Sequence, residues 1–151
     1  NPGSGGKGPC LCLYNAYNQV TVSSQSLDSQ GAYTYNSATW RVMGNPANPL
    51  KNYITVVDGL GQMPVSAKLS DAILVSAITN SGAFGINFNT TSGQPGQIAR
   101  ASPTAISTYT AGLVHAPQKG LWTAQAMEAA PAGTATLGGS GLQQLSVQVA
   151  D

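Results

Sequence analysis

Residues 142–149 read LQQLSVQV, and their pattern decides the fold class. Leu145, Val147 and Val149 alternate with polar residues. A period of two places alternate side chains on the same face of a β-strand, so one face of this stretch is apolar and the other is polar. The pattern therefore predicts a strand that packs one face against a core.

Similar short runs recur at intervals of roughly ten residues, separated by turn signals such as Asp58-Gly59 and Gln94-Pro95-Gly96. We predict further strands near residues 10–14, 19–24, 32–35, 39–43, 53–57, 63–67, 83–88, 105–109 and 120–127. Many short strands at this spacing are typical of sandwiches and jelly rolls. At 151 residues the chain fits one domain. We expect an all-β protein with a single β-sandwich or jelly-roll-like domain.

Residues 69–80 are the one segment where a helix competes with a strand. Asp71 suits a helix N-terminus, and Ile73, Leu74, Ala77 and Ile78 share one helical face. Val75, Ile78 and Thr79 also suit a strand. The pattern therefore allows one short helix near residues 70–79.

Two segments are rich in small residues and predict flexibility. Residues 1–15 form an N-terminal arm that opens with NPGSGGKGP, followed by a sandwich domain over residues 16–151. Residues 129–141 read AAPAGTATLGGSG, which is typical of a tether before the terminal strand. The strands next to these segments, 10–14 and 142–149, could fold back into their own sheet or pair with a neighbouring subunit.

Charge is scarce in this chain. Six Lys or Arg and five Asp or Glu make 7% of the residues, where about 25% is usual. The net charge of +1 and the scattered cations argue against a nucleic-acid partner. No apolar run approaches the roughly 18 residues of a membrane span. Edge strands are normally protected from pairing by charge, especially Lys, and this chain has few charges to place there.

The residues needed for catalysis are few and far apart. His115 is the only histidine, at the end of a predicted strand. Among the five acids, Asp71 and Glu128 are the candidates of interest, but a catalytic carboxylate pair would require them to converge from distant positions. Gly6-Lys7-Gly8 lacks the spacing of a phosphate-binding loop. We predict no catalytic residue, no cofactor and no metal, with a calcium ion at Asp58 in a subunit interface as the alternative.

The cysteines and one asparagine are candidates for covalent modification. Cys10 and Cys12 are the only cysteines and adjoin the N-terminal arm, which favours disulfides between subunits over a strained loop or free thiols. Asn89-Thr90-Thr91 matches the acceptor pattern for N-glycosylation. The aromatic residues either stack on sugars or pack in the core. They are Tyr14, Tyr17, Tyr33, Tyr35, Trp40, Tyr53 and Trp122.

These features predict a structural role rather than an enzyme. The sequence begins at Asn1 without a signal segment, which is typical of a trimmed secreted product, although an arbitrary start point would look the same. We expect a subunit of an extracellular or cell-surface filament, pilus or similar polymer, joined to copies of itself by strand exchange. In size and composition the chain is similar to fimbrial subunits as a class. The alternatives are a secreted carbohydrate-binding module or lectin, which would bind surface glycans, and a viral capsid or decoration protein; a secreted hydrolase ranks last.

Overall fold

A computed structural model describes most of the chain. The described residues are 10–14, 22–28, 31–44, 52–75, 77–102, 104–117, 119–138 and 143–149. They contain twelve strands and no helix. The strands are β1 Cys10–Tyr14, β2 Val22–Asp28, β3 Tyr33–Tyr35, β4 Arg41–Val42, β5 Tyr53–Asp58, β6 Val65–Val75, β7 Ser81–Phe88, β8 Gln97–Ala101, β9 Ser107–His115, β10 Gly120–Ala132, β11 Ala135–Leu137 and β12 Gln143–Val149. The predicted all-β fold is confirmed.

The strands form two sheets that pack face to face as a sandwich. The first sheet has the order β1-β5-β10-β7-β8, and β4 lies beside β10 next to β5. The second has the order β2-β12-β6-β11-β3, and β9 pairs with the other edge of β6. Every pairing is antiparallel except that of β1 with β5.

Eight of the twelve described strands pair in the order of a jelly roll. Without β1 and the short strands β3, β4 and β11, the first strand pairs with the last and the others nest inside that pair. The nested pairs are β2 with β12, β5 with β10, β6 with β9, and β7 with β8. A double sheet of eight strands nested in this way is the jelly-roll arrangement.

The core lies between the two sheets, and alternation builds the part that β12 and the first half of β6 supply, whereas β7 and β10 are buried at seven consecutive positions. Along β6, Val65, Ala67 and Leu69 are buried, while Ser66, Lys68 and Ser70 point outward. The predicted alternation in β12 is confirmed, because Leu145, Val147 and Val149 are all buried. Each fully buried aliphatic side chain of this size stabilises the fold by about 1.5–3 kcal/mol relative to an exposed one.

The helix allowed near residues 70–79 does not form. Residues up to Val75 continue β6, which pairs with β9 on one side and with β12 and β11 on the other. The chain then turns, with the Asn80 amide donating to the Ala77 carbonyl at 2.9 Å. Pairing on both edges satisfies the backbone of β6 and overrides the helical spacing of its apolar residues.

A flexible tether was expected over residues 129–141. In the described part, residues 129–138, strands are found instead. β10 continues to Ala132, the chain turns at Gly133, and β11 pairs with both β3 and β6. Ala129, Ala135 and Leu137 are completely buried. These small residues therefore serve close packing, and residues 139–141 lie outside the described part.

Several strand boundaries differ from those predicted. The strand expected at 19–24 is observed at Val22–Asp28, the one at 39–43 shortens to Arg41–Val42, and those at 63–67 and 105–109 extend to Val75 and His115. β8 was not predicted. Of the N-terminal arm, only β1 is described, and it pairs within the chain along the edge of β5.

Candidate functional site

Asp71 and Glu128, 57 positions apart in the sequence, belong to one buried polar cluster between the two sheets. We call Tyr33, Arg41, Asp71, Glu128 and Gln143 the inter-sheet cluster. Strands of the first sheet supply Arg41 and Glu128, and strands of the second supply the other three. Both carboxyl side chains are 0% exposed. The inter-sheet cluster thus brings together two carboxyls, a phenol and a guanidinium from distant positions of the sequence.

Glu128 is held by partners from both sheets. Its Oε1 accepts a hydrogen bond of 2.7 Å from Arg41 Nε and lies 2.6 Å from Arg41 Nη2. Its Oε2 accepts a hydrogen bond from the Tyr33 hydroxyl. The Arg41 guanidinium stacks over the Tyr35 ring, 3.9 Å from its centroid. A charge-assisted contact of this kind stabilises an ionised Glu128.

Asp71 has no cation beside it. Its Oδ1 accepts a hydrogen bond of 2.8 Å from the Ala72 amide, while its Oδ2 is buried without a hydrogen-bond partner. Gln143 Nε2 is likewise buried without a partner, although Gln143 Oε1 accepts a bond of 2.6 Å from Asn52. Protonation of Asp71 would remove the negative charge from this buried, unpaired oxygen.

Burial raises the pKa of both carboxyls. For Asp71, desolvation is the main cause and the negative charge of Glu128 adds to it, so that its pKa rises to about 7. Desolvation also raises the pKa of Glu128 to about 7, although the Tyr33 hydroxyl and Arg41 oppose the rise. Burial, followed by the charge of Glu128, raises the pKa of the Tyr33 phenol. Because only Glu128 has a cation, we assign the proton to Asp71 and the charge to Glu128.

The inter-sheet cluster is enclosed between the two sheets. Tyr33 and Gln143 are 7% and 2% exposed, and only Arg41, at 30%, reaches the surface. A carboxyl that transfers a proton must lie within hydrogen-bond reach of the substrate. Both carboxyls of the Asp71–Glu128 pair are enclosed, and Glu128 contacts Tyr33 of the opposite sheet.

The remaining candidates from the sequence also have structural partners. His115 packs against Phe88 and Trp122, with ring centroids 5.2 and 4.1 Å away, and its Nδ1 lies 2.8 Å from the Ala116 carbonyl. Asp58 is 1% exposed, and its Oδ1 accepts the amides of Leu60 and Gly61. The described residues hold no group of three His, Cys, Asp or Glu that could bind a metal ion.

Asn89 stabilises the turn that follows β7. It adopts a left-handed backbone with a φ of 57°, directly after β7. Its Oδ1 accepts the Thr123 amide at 2.8 Å, and its own amide donates to the Thr123 carbonyl. Asparagine tolerates this conformation better than most residues. Glycosylation of Asn89 stays a prediction.

The β1 edge is the candidate site of assembly. Among the described strands, β1 is the only one paired in parallel, and its one partner there is β5. The register places Cys10 opposite Ile54 and Cys12 opposite Val56. The cysteine side chains lie outside the described part of the structure, so disulfides between subunits stay a prediction.

The edges of the sandwich carry little charge. Among the described strands, those paired on one edge only are β1, β4 and β8 in the first sheet and β2, β3 and β9 in the second. None of these strands contains Lys, and their charged residues are Asp28, Arg41 and Arg100. The scarcity of charge in the sequence therefore extends to the positions where charge would block edge pairing.

Comparison with known proteins adds no family to these observations. No protein-family model matches the chain, and no curated protein matches it. In the described part of the chain, no helix is long and apolar enough to cross a membrane. The geometry of the fold therefore carries the functional argument.

Sequence reasoning missed most of the inter-sheet cluster. It singled out Asp71 and Glu128 but not Arg41 or Gln143, and it considered Tyr33 only as a sugar-stacking residue or a core residue. Tyr33 and Trp122 are buried, at 7% and 8% exposure, which removes them from any exposed aromatic surface. The cluster depends on contacts between sheets, for which the sequence contains no local signal.

Proposed function

We propose that this protein is a structural subunit that polymerises with copies of itself, and that β1 is the exchanged strand. The observation that carries the proposal is the position of β1. It lies outside the eight nested strands of the jelly roll and pairs with a single neighbour. The same five residues can pair with β5 of their own chain or with β5 of another copy, because the backbone contacts are identical.

Exchange of β1 leaves the folded domain complete. β12 pairs with β2 on one side and with β6 on the other, so its donation would open the middle of the second sheet. Removal of β1 instead leaves the eight nested strands paired with one another and exposes the outer edge of β5. Of the two strands that the sequence suggested for exchange, the N-terminal one is therefore the one we propose.

An exposed β5 edge would attract a strand. Ile54 and Val56 are buried in the core, and the five positions of β5 that pair with β1, 54–58, contain no cation. Unpaired edge amides and carbonyls form a template for another chain. Successive exchange in one direction is a heterologous contact, which grows into a fibre or, if the rotation closes, into a ring.

The form of the polymer is the open alternative within this proposal. An extracellular filament or pilus agrees with the uncharged edges and the expected secretion. A closed viral shell is favoured by one observation, the jelly-roll strand order, which viral capsid domains share. Since folds are shared by many functions, that likeness is an analogy. Electron microscopy of the assembled protein distinguishes filaments from closed particles.

Deletion variants test the proposal. The intact chain should form large species in light scattering, whereas a variant without residues 1–14 should stay discrete and keep its β-rich circular dichroism. A variant without residues 1–9 is the matched control, because it lacks the Gly/Pro stretch but keeps β1, and it should still assemble. The proposal fails if the intact chain stays monomeric at high concentration, or if deletion of residues 1–14 leaves assembly unchanged.

A further inference from the structure

The outer face of the second sheet contains a groove of about 600 Å³. It lies on the side of the sheet away from the core, across β9, β6 and β12. We call it the outer groove and define it by Ser66, Lys68, Thr110, Gly112, Ser146 and Gln148. Its volume is in the range of known small-ligand sites.

The missing side chain of Gly112 makes room at the centre of the outer groove. Gly112 pairs with Lys68 in the register of β9 and β6, between the rows that contain Thr110 and Val114. A Cβ added at Gly112 would meet only the Ala67 carbonyl oxygen, 3.8 Å away. Beside this gap, Val114 is 66% exposed and offers an apolar surface.

Two serine hydroxyls of the outer groove donate their protons to backbone carbonyls. Ser66 Oγ donates to the Gln148 carbonyl and Ser146 Oγ donates to the Lys68 carbonyl, both at 3.3 Å. Because each hydroxyl has only one proton, these groups present their lone pairs to the groove. A ligand that fits them must supply hydrogen-bond donors, as the hydroxyls of a sugar do.

Lys68 adds one positive charge, and no described carboxylate competes for it. The described acidic side chains are Asp58, Asp71 and Glu128, and all three are at most 1% exposed. The ion pair of the described residues is that between Arg41 and Glu128, which lies in the core. Lys68 is exposed on the polar face of β6 and can therefore bind an anionic group of a ligand.

We propose that the outer groove binds a short acidic oligosaccharide. The sugar hydroxyls donate to Ser66 and Ser146, the carboxylate contacts the Lys68 ammonium, and a ring face rests on Val114. The site is separate from β1 and does not depend on polymerisation. It also differs from an aromatic sugar-binding face, since it contains no aromatic residue.

The test measures binding of acidic sugars with a carboxylate on a pyranose ring. The probes are 3′-sialyllactose, with lactose as its neutral control, and tri-galacturonic acid, with its methyl ester as control, in saturation-transfer NMR and calorimetry on the full chain. At least one acidic probe should bind while its neutral control binds at least about tenfold more weakly. The two probes distinguish a sialic-acid source from a uronic-acid source.

Three substitutions locate the site. Lys68→Gln should weaken binding by about tenfold, which corresponds to the loss of one charge-assisted contact. Gly112→Val should abolish binding, because its side chain fills the gap while valine suits a strand. Lys119→Gln removes another exposed charge, one that lies outside the groove, and should leave binding unchanged.

Two results would overturn the proposal. One is the absence of binding by either acidic probe up to about 10 mM, a concentration that detects dissociation constants in the millimolar range. The other is an equal effect of Lys68→Gln and Lys119→Gln, which would mean nonspecific attraction to the cationic surface. If Gly112→Val fails to fold, the comparison of the two lysine variants decides the question alone.

Discussion

Replacing Asp71 by Asn tests whether a proton is held between the two sheets. Burial raises the pKa of Asp71 from 3.8 to about 7. Because the folded state then binds a proton that the unfolded state releases, the free energy of unfolding falls as the pH rises from about 4 to about 7, and it is level above that range. The difference between the two pKa values corresponds to about 4 kcal/mol.

The Asp71→Asn variant should lose this part of the pH dependence. Asn Oδ1 still accepts the Ala72 amide, and the neutral amide needs no proton to avoid a buried charge. We therefore expect a free energy of unfolding close to that of the wild type near pH 4, and one higher by about 4 kcal/mol near pH 8.

Urea unfolding followed by circular dichroism between about pH 4 and about pH 8 measures the effect. Lys68→Gln, which removes one charge from the surface, is the control and should keep the wild-type profile. If Asp71→Asn shows the same loss of stability with rising pH as the wild type, Asp71 does not hold the proton and the assignment is refuted.

Three further substitutions test other contacts of the fold. Glu128→Gln should lower the free energy of unfolding by about 2 kcal/mol at neutral pH, because it removes the counter-ion of the partly exposed Arg41. An unchanged midpoint of urea unfolding would contradict a stabilising ion pair. Gly82→Ala should lower the free energy of unfolding by about 1–3 kcal/mol, because the new Cβ would lie 2.7 Å from Ile73 Cγ2. Gly31→Ala is the control and should leave the free energy of unfolding unchanged, because a Cβ there has no atom within 4 Å. Asn89→Ala should lower the free energy of unfolding by about 2 kcal/mol, because it loses the hydrogen bond from the Thr123 amide and places alanine in a left-handed conformation. Asn89→Gly should lower it less, because glycine adopts that conformation without strain. Equal losses for the two variants would argue against the strain.

Alternation made the strands predictable because one face of each sheet is buried. The pattern in β12 specified its strand, and the burial of Leu145, Val147 and Val149 confirms it. β6 was ambiguous because Ile73, Leu74, Ala77 and Ile78 fit a helix as well. Its pairing on both edges is long-range, and a local pattern cannot report it.

The small residues after β10 were misread for a physical reason. A run of Ala and Gly predicts flexibility when the chain is considered alone. In the folded protein, a Cβ at Gly82 would lie 3.1 Å from the Ala135 Cβ, and Ala129 and Ala130 are buried. Small side chains are needed there because the strands approach closely, and only the tertiary structure shows this.

The candidate sites were predictable only in part. The scarcity of charge indicated unprotected edges, and the described edge strands contain no Lys. The convergence of Asp71 with Glu128 and the gap beside Gly112 depend on strand order and register. Neither follows from the types and spacing of residues.

A disulfide trap across β1 and β5 tests the central claim of strand exchange. Leu11 and Thr55 are register partners, and neighbouring strands lie about 4.8 Å apart, within the range that a disulfide can bridge. The variant carries Leu11→Cys and Thr55→Cys together with Cys10→Ser and Cys12→Ser, and a matched variant without Thr55→Cys can form no more than covalent dimers.

The trap is read on a non-reducing gel after oxidation at the concentration where the intact chain assembles. If β1 is exchanged, the double-cysteine variant gives a ladder of covalent oligomers that collapses on reduction. If β1 pairs only with its own chain, the variant gives internally bridged monomers and no ladder. That result would contradict the proposed mode of assembly.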